Sequence, residues 1–196
     1  MIWADRIRLL SDDAEGVSTI EFALIAPVFF TLLIGIFNAG QEAYGLAVLN
    51  GAVQKAARDS SLEIVDIGYA DKMVENQVAP ILPGATFKST RTSYNDYIDI
   101  GRPEKWNDAN NNGTCDTGES YVDENGNGDW DADIGKNGNG GADDVVVYQM
   151  TVTYEPTFKI PLMPNQWNTR SLTASAIKKN QPFANQTGYG STAGIC

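Results

Sequence analysis

Residues 22–41 read FALIAPVFFTLLIGIFNAGQ, twenty in a row without a charge. At 1.5 Å per residue such a helix is about 30 Å long, the thickness of a bilayer's hydrocarbon core. Phe, Leu and Ile occupy every side of it, whereas a helix at the edge of a soluble core keeps a polar face. A cleaved secretory signal has a shorter apolar stretch, about 7–15 residues, ending at a small-x-small site. Pro27 removes one helical hydrogen bond, a loss that membrane helices tolerate. The run therefore reads as a membrane span. In residues 42–58, EAYGLAVLNGAVQKAAR, the apolar Leu46, Leu49, Val53, Ala56 and Ala57 recur at helical spacing. Alanine favours helix there, while Gly45 and Gly51 weaken it. The expectation is one long helix over 17–60, half in lipid and half offering a stripe to a globular head. The other reading breaks the helix at residues 38–40 and starts a short surface helix after it.

Glu21 stands at the mouth of the apolar run, after GVSTI at 16–20. A carboxylate there is costly unless paired or held at the interface. Gly16, then Glu21 five residues on, then Phe22, resembles the processing site of type IV pilin-like precursors. GVSTIEFALIAPVFFTLLIGIFNAG, residues 16–40, more closely resembles the TadE/TadG-like proteins of tight-adherence (Tad) pili. The resemblance implies a leader over 1–16 and a prepilin peptidase cutting between Gly16 and Val17. It implies that Glu21 and Phe22 serve assembly, Glu21 by pairing with a neighbouring subunit's N-terminal amine. It also implies a single-pass protein of the bacterial inner membrane, its C-terminal head periplasmic or extracellular. Its partners would be membrane lipid, other pilin-like subunits and the Tad assembly machinery. The leader's Arg6 and Arg8 favour an N-terminus inside the cytoplasm. Asp5, Asp12, Asp13 and Glu15 make it less basic than the leaders of that family.

Composition narrows the function classes. The chain has 196 residues and a net charge of −11, against a nucleic-acid partner, because such binding rests on Lys and Arg neutralising phosphates. It has no histidine, which removes Ser-His-Asp and Cys-His nucleophile systems and every imidazole metal site. No nucleophile–base pair stands out, and an enzyme is not expected. Cys115 and Cys196 are either one disulfide, in an oxidising compartment, or two unpaired thiols.

The expected fold class is α+β and pilin-like: the long N-terminal transmembrane helix carrying a small antiparallel β-sheet head over 61–183. Residues 71–79 read as a short helix with Asp71 as its N-cap. Residues 85–100, 144–154 and 170–177 read as strands, the second most clearly, with Thr90, Thr92 and Tyr94 sharing a face of the first. AIKKNQPF, residues 176–183, resembles the close of many TadE-like domains. Residues 184–196, small and polar, read as a flexible tail.

Between 104 and 144 lie 11 acidic residues against Lys105 and Lys136, a local charge of −9. Within this insertion DANNNGTCDTGE, 108–119, fits the calcium-loop pattern D-x-[DN]-x-[DN]-G-x5-E at Asp108, Asn110, Asn112, Gly113 and Glu119. A doubly charged hard cation takes about six to eight oxygens, and alternate residues of a curling loop point theirs inward. Thr114 would give its carbonyl and Asp116 the ninth ligand. DENGNGDWDADI, 123–134, repeats the pattern with Asp123, Asn125, Asn127, Asp129 and Asp131. Ile134 takes the twelfth place, so Asp133 is the nearest carboxylate to replace the missing one. Only three residues separate the loops, too few for the flanking helices of an EF-hand. By likeness to paired EF-hand loops, Cys115 and Trp130, eighth in each, would lie side by side. The expected cofactor is Ca²⁺, against a plain solvated loop. Two functions stay open: a pseudopilin-like subunit or assembly factor of a Tad pilus, or a membrane-anchored calcium-binding adhesion module unrelated to pili.

Overall fold

A computed structural model describes residues 17–60, 67–159, 168–182 and 184–196. Helix α1 runs unbroken over Val17–Asp59 with Pro27 inside it; the break at 38–40 does not occur. Its first half is exposed on all sides. Its second half buries Leu49, Ala52, Val53, Ala56 and Ala57. Leu46 points outward, and Gly45 takes its place in the stripe. A Cβ on Gly45 would stand 3.2 Å from the Leu82 side chain, so this glycine lets Leu82 and Leu172 close onto the helix. What it costs in helix propensity it returns in packing.

Helix α2 spans Ile67–Val78 and buries Ala70, Val74 and Val78 at four-residue steps. It ends at the residues before Pro80, and Leu82 N–H caps it on the Val78 carbonyl at 3.0 Å. Six strands follow: β1 Thr86–Tyr94, β2 Ser120–Asp123, β3 Lys136–Asn137, β4 Val145–Tyr154, β5 Arg170–Lys179 and β6 Thr192–Ile195. The main sheet is antiparallel in the order β3-β1-β4-β5. Tyr148, Met150, Val152 and Tyr154 of β4 and Leu172, Ala174 and Ala176 of β5 face the helices and form one core with them. Thr90, Thr92 and Tyr94 do share the opposite face of β1.

Two polar contacts organise this core. Asp71 is no N-cap; it sits mid-helix in α2, because the helix starts four residues earlier. Its carboxylate is ion-paired with Arg91 of β1 and accepts from Ser89 Oγ (2.7 Å) and Tyr148 Oη (2.8 Å). The Arg91 guanidinium lies 4.4 Å over the Tyr148 ring. Burial works to raise the Asp71 pKa, but these hydrogen bonds outweigh it and hold the carboxyl below its ordinary value. At the other end of α1, buried Lys178 donates to the Ser60 carbonyl (2.6 Å) and Oγ (3.2 Å). A cation just past a helix C-terminus meets its orphan carbonyls. Burial, with Arg91 nearby, brings Lys178 down to about 8.

Residues 184–196 are not a free tail. β6 pairs with β2, Gln186 Nε2 donates to the Asn95 carbonyl (2.8 Å) and Asp144 Oδ1 (2.9 Å), and Cys115–Cys196 form a disulfide. The small, polar residues allow close approach. A Cβ on Gly194 would run into the Tyr121 ring, and one on Gly190 into the Asp123 carbonyl. The KKN at 178–180 also has a local role: Asn180 Nδ2 donates to the carbonyls of Asn139 and Gly141 (2.8 Å each), tying the end of the insertion to β5.

Candidate functional site

Two places carry candidate residues. At the N-terminal end of α1, Glu21 and Phe22 are exposed. Val17 begins the helix, and Gly16 with the leader lies outside the described residues.

The second place is the insertion. Residues 105–107 run antiparallel to β2: Trp106 bridges Tyr121, Asn107 N–H donates to the Ser120 carbonyl, and Val122 N–H to the Lys105 carbonyl, both at 2.8 Å. β2 pairs on its other edge with β6. The first loop, 108–119, thus closes the end of a three-stranded ladder. Residues 102–104 also bond the far end of the second loop, Glu104 N–H to Asp131 C=O and Ile134 N–H to Arg102 C=O at 2.9 Å each. One extended segment therefore frames both loops.

Their internal bonding is the same. Asp108 accepts from Asn112 N–H (3.1 Å) and Gly113 N–H (2.9 Å); Asp123 accepts from Asn127 N–H (3.2 Å) and Gly128 N–H (3.0 Å). Asn110 and Asn112 donate their amides to Asp116, as Asn125 and Asn127 do to Asp131. The sixth residues, Gly113 and Gly128, have φ +82° and +92°, the left-handed turn that only glycine adopts freely.

The twelfth carboxylate differs in origin. In the first loop Glu119, buried, accepts from Ala109 N–H (2.9 Å) and Asp116 N–H (3.0 Å), the second and ninth residues. In the second, Ile134 is a core residue, and Asp133 turns away to Tyr94 Oη at 2.9 Å, so it does not stand in. The same positions are served by Glu104, fully buried: Oε1 accepts from Glu124 N–H (2.6 Å) and Asn125 N–H (3.0 Å), and Oε2 from Asp131 N–H (3.3 Å). The antiparallel register that bridges Trp106 and Tyr121 sets Glu104 opposite Asp123 and Glu119 opposite Asp108. Each glutamate thus serves the loop begun by the other strand. A repeat of 15 residues could have pointed to this: Glu104, Asp108, Asn110, Asn112, Gly113 and Asp116 recur as Glu119, Asp123, Asn125, Asn127, Gly128 and Asp131.

The eighth residues each have another partner. Cys115 is bonded to Cys196, and Trp130 packs edge-on against Trp106, its Nε1 donating to the Glu104 carbonyl at 3.3 Å. The disulfide draws β6 to the end of the ladder, where Gly118 N–H and the Cys196 carbonyl bond at 3.1 Å. Glu124 is a structural acid. Arg102 grips it with two bonds (3.1 and 2.8 Å), and this pairing holds its pKa down against the effect of burial.

Among the described residues no three acidic or cysteine side chains converge as a ready-made metal centre. In the two loops the asparagine amides donate to Asp116 and Asp131. A cation would take the place of those N–H groups, with the amides turned to present oxygen. The donors available are then all oxygen, the set a hard divalent cation prefers.

Comparison with known proteins bears on the helix alone. No curated protein and no solved structure matches the chain. Residues 16–58 match the family model described as TadE-like protein. The match stops one residue short of the end of α1, so the head lies beyond it. Over residues 16–58, then, the chain is similar to the TadE-like family, and among the described residues it has one N-terminal helix long and apolar enough to cross a membrane.

Proposed function

We propose that this protein is a pseudopilin-like subunit or assembly factor of a tight-adherence pilus, anchored in the bacterial inner membrane and non-enzymatic. The observation that carries the reading is the coincidence of the TadE-like match with an unbroken helix, apolar and exposed along its first half and packed under the head along its second. Glu21 at the start of the apolar face meets a neighbouring subunit, and cleavage between Gly16 and Val17 by a prepilin peptidase frees the amine it pairs with. The Cys115–Cys196 disulfide supports a head outside the cytoplasm, where such bonds persist. In a strain lacking the native copy, Glu21→Ala is expected to insert at wild-type levels and fail to restore pili. Normal piliation by this variant sinks the assembly role and favours a calcium-binding anchor unrelated to pili.

The insertion is read as a paired Ca²⁺ site. Asp108, Asn110, Asn112, the Thr114 carbonyl, Asp116 and Glu119 hold one ion; Asp123, Asn125, Asn127, the Asp129 carbonyl, Asp131 and Glu104 hold the other. Bound ions cross-link loops whose carboxylates otherwise repel, reducing the local −9 to −5. Titration of the full chain in detergent is expected to give two sites in about the 10⁻⁴–10⁻³ M range common for extracellular modules. Glu104→Gln should remove the second and leave the first; Glu119→Gln should do the reverse. Absence of any binding at several millimolar Ca²⁺ removes the metal reading.

A further inference from the structure

We propose that residues 155–159, a hook that follows β4, form a second membrane contact, in which Phe158 enters the lipid beside the span. This rests on α1 crossing a bilayer and goes beyond it, because it makes the head itself touch lipid. The apolar run ends in two amides, Asn38 and Gln41, and both hold residues of this segment. Asn38, buried, donates its Nδ2 to the Phe158 carbonyl at 2.8 Å. Gln41 Nε2 donates to Thr157 Oγ1 and to the Ile81 carbonyl, both at 3.0 Å. The result is a ring directed back along the span: Phe158 lies 6.1 Å from Phe37, centroid to centroid.

The position is decided by arithmetic. If the hydrocarbon core covers residues 22–41, Phe37 lies about 6 Å inside its outer boundary, at 1.5 Å per residue. Phe158, packed beside it, is at the same depth. Half of the Phe158 surface and more than half of Phe37 are exposed. Together with Ile36 and Tyr44 they form one apolar surface continuous with the lipid-facing side of α1. Glu155 and Lys159, on either side of the hook, pair at 2.8 Å while remaining mostly exposed, as charged groups at a headgroup boundary do. Continuity with the span points to lipid rather than to a protein partner. With both the span and the hook in the bilayer, the head cannot swing freely about residue 41.

Spin labels on single introduced cysteines of the full chain in phosphatidylcholine vesicles test this, with the native disulfide left oxidised. Phe29→Cys marks the span and Ile98→Cys, on the exposed turn 97–99, marks water. A label at Phe158→Cys is expected to collide with oxygen more than with a water-soluble nickel chelate, as at 29 and opposite to 98. Adding Asn38→Ala to Phe158→Cys should move the label toward the pattern at 98. A water-like label at 158 with a lipid-like one at 29 overturns the hook and leaves the span standing. A water-like label at 29 removes both. A label at 158 that neither reagent reaches also overturns it, and assigns the surface to a neighbouring protein.

Discussion

Asp71→Ala is expected to destabilise the head by about 3 kcal/mol, the scale for removing one partner of a buried ion pair. The Arg91 side chain is 8% exposed, and the variant leaves its guanidinium without the carboxylate that faces it. Ser89 and Tyr148 lose their shared acceptor in the same step. Urea unfolding of the full chain in detergent, followed by the tyrosine near-ultraviolet signal, measures the loss. A change under about 1 kcal/mol would place this pair with exposed ion pairs instead. Acidity gives a second readout. The folded pKa of Asp71 is below its unfolded value of 3.8, so its contribution is complete above about pH 4 and is lost as pH falls through the folded value. Asp71→Asn should flatten that part of the acid limb.

Breaking the Cys115–Cys196 bond is expected to have an effect of similar size. The cysteines are 81 residues apart, and closing a loop of that length removes about 4.5 kcal/mol of unfolded-chain entropy in the loop-closure account. β6 is held by four residue pairs with β2, and the disulfide fastens its end. Cys196→Ala, Cys115→Ser and the double variant should lower the urea midpoint equally, because all three remove one bond. Reduction of the wild type should match them, with residues 184–196 cut first by protease. An unchanged midpoint on reduction would show that the cysteines are not paired.

Chain pattern and spatial contact contributed differently to this picture. The long helix was legible because hydropathy and helical period are local properties, readable from residues 22–58 alone. The β4 strand was legible for the same reason, through the β-branched and aromatic residues of VVVYQMTVTY, and RSLTASAI was read as a strand beside it. The sequence pattern of the first loop was local too, and Gly113 does take the left-handed turn that the pattern places there. Gly45 was misjudged because propensity counts a missing side chain as a cost, while the benefit lies in Leu82 and Leu172, far along the chain. Asp71 was misplaced because an acid near a helix start resembles a cap until Arg91 and Tyr148 arrive from the sheet.

Anchor, helix and first loop were therefore open to reading from the residues in order. Which glutamate completes the second loop, what Cys196 bonds to, where residues 184–196 lie and what Phe158 rests against were settled by folding. Each depends on groups brought together across 20 to 121 residues. An antiparallel pairing or a buried amide can create such a contact with no mark in the local pattern beyond, for Glu104, a faint repeat of 15.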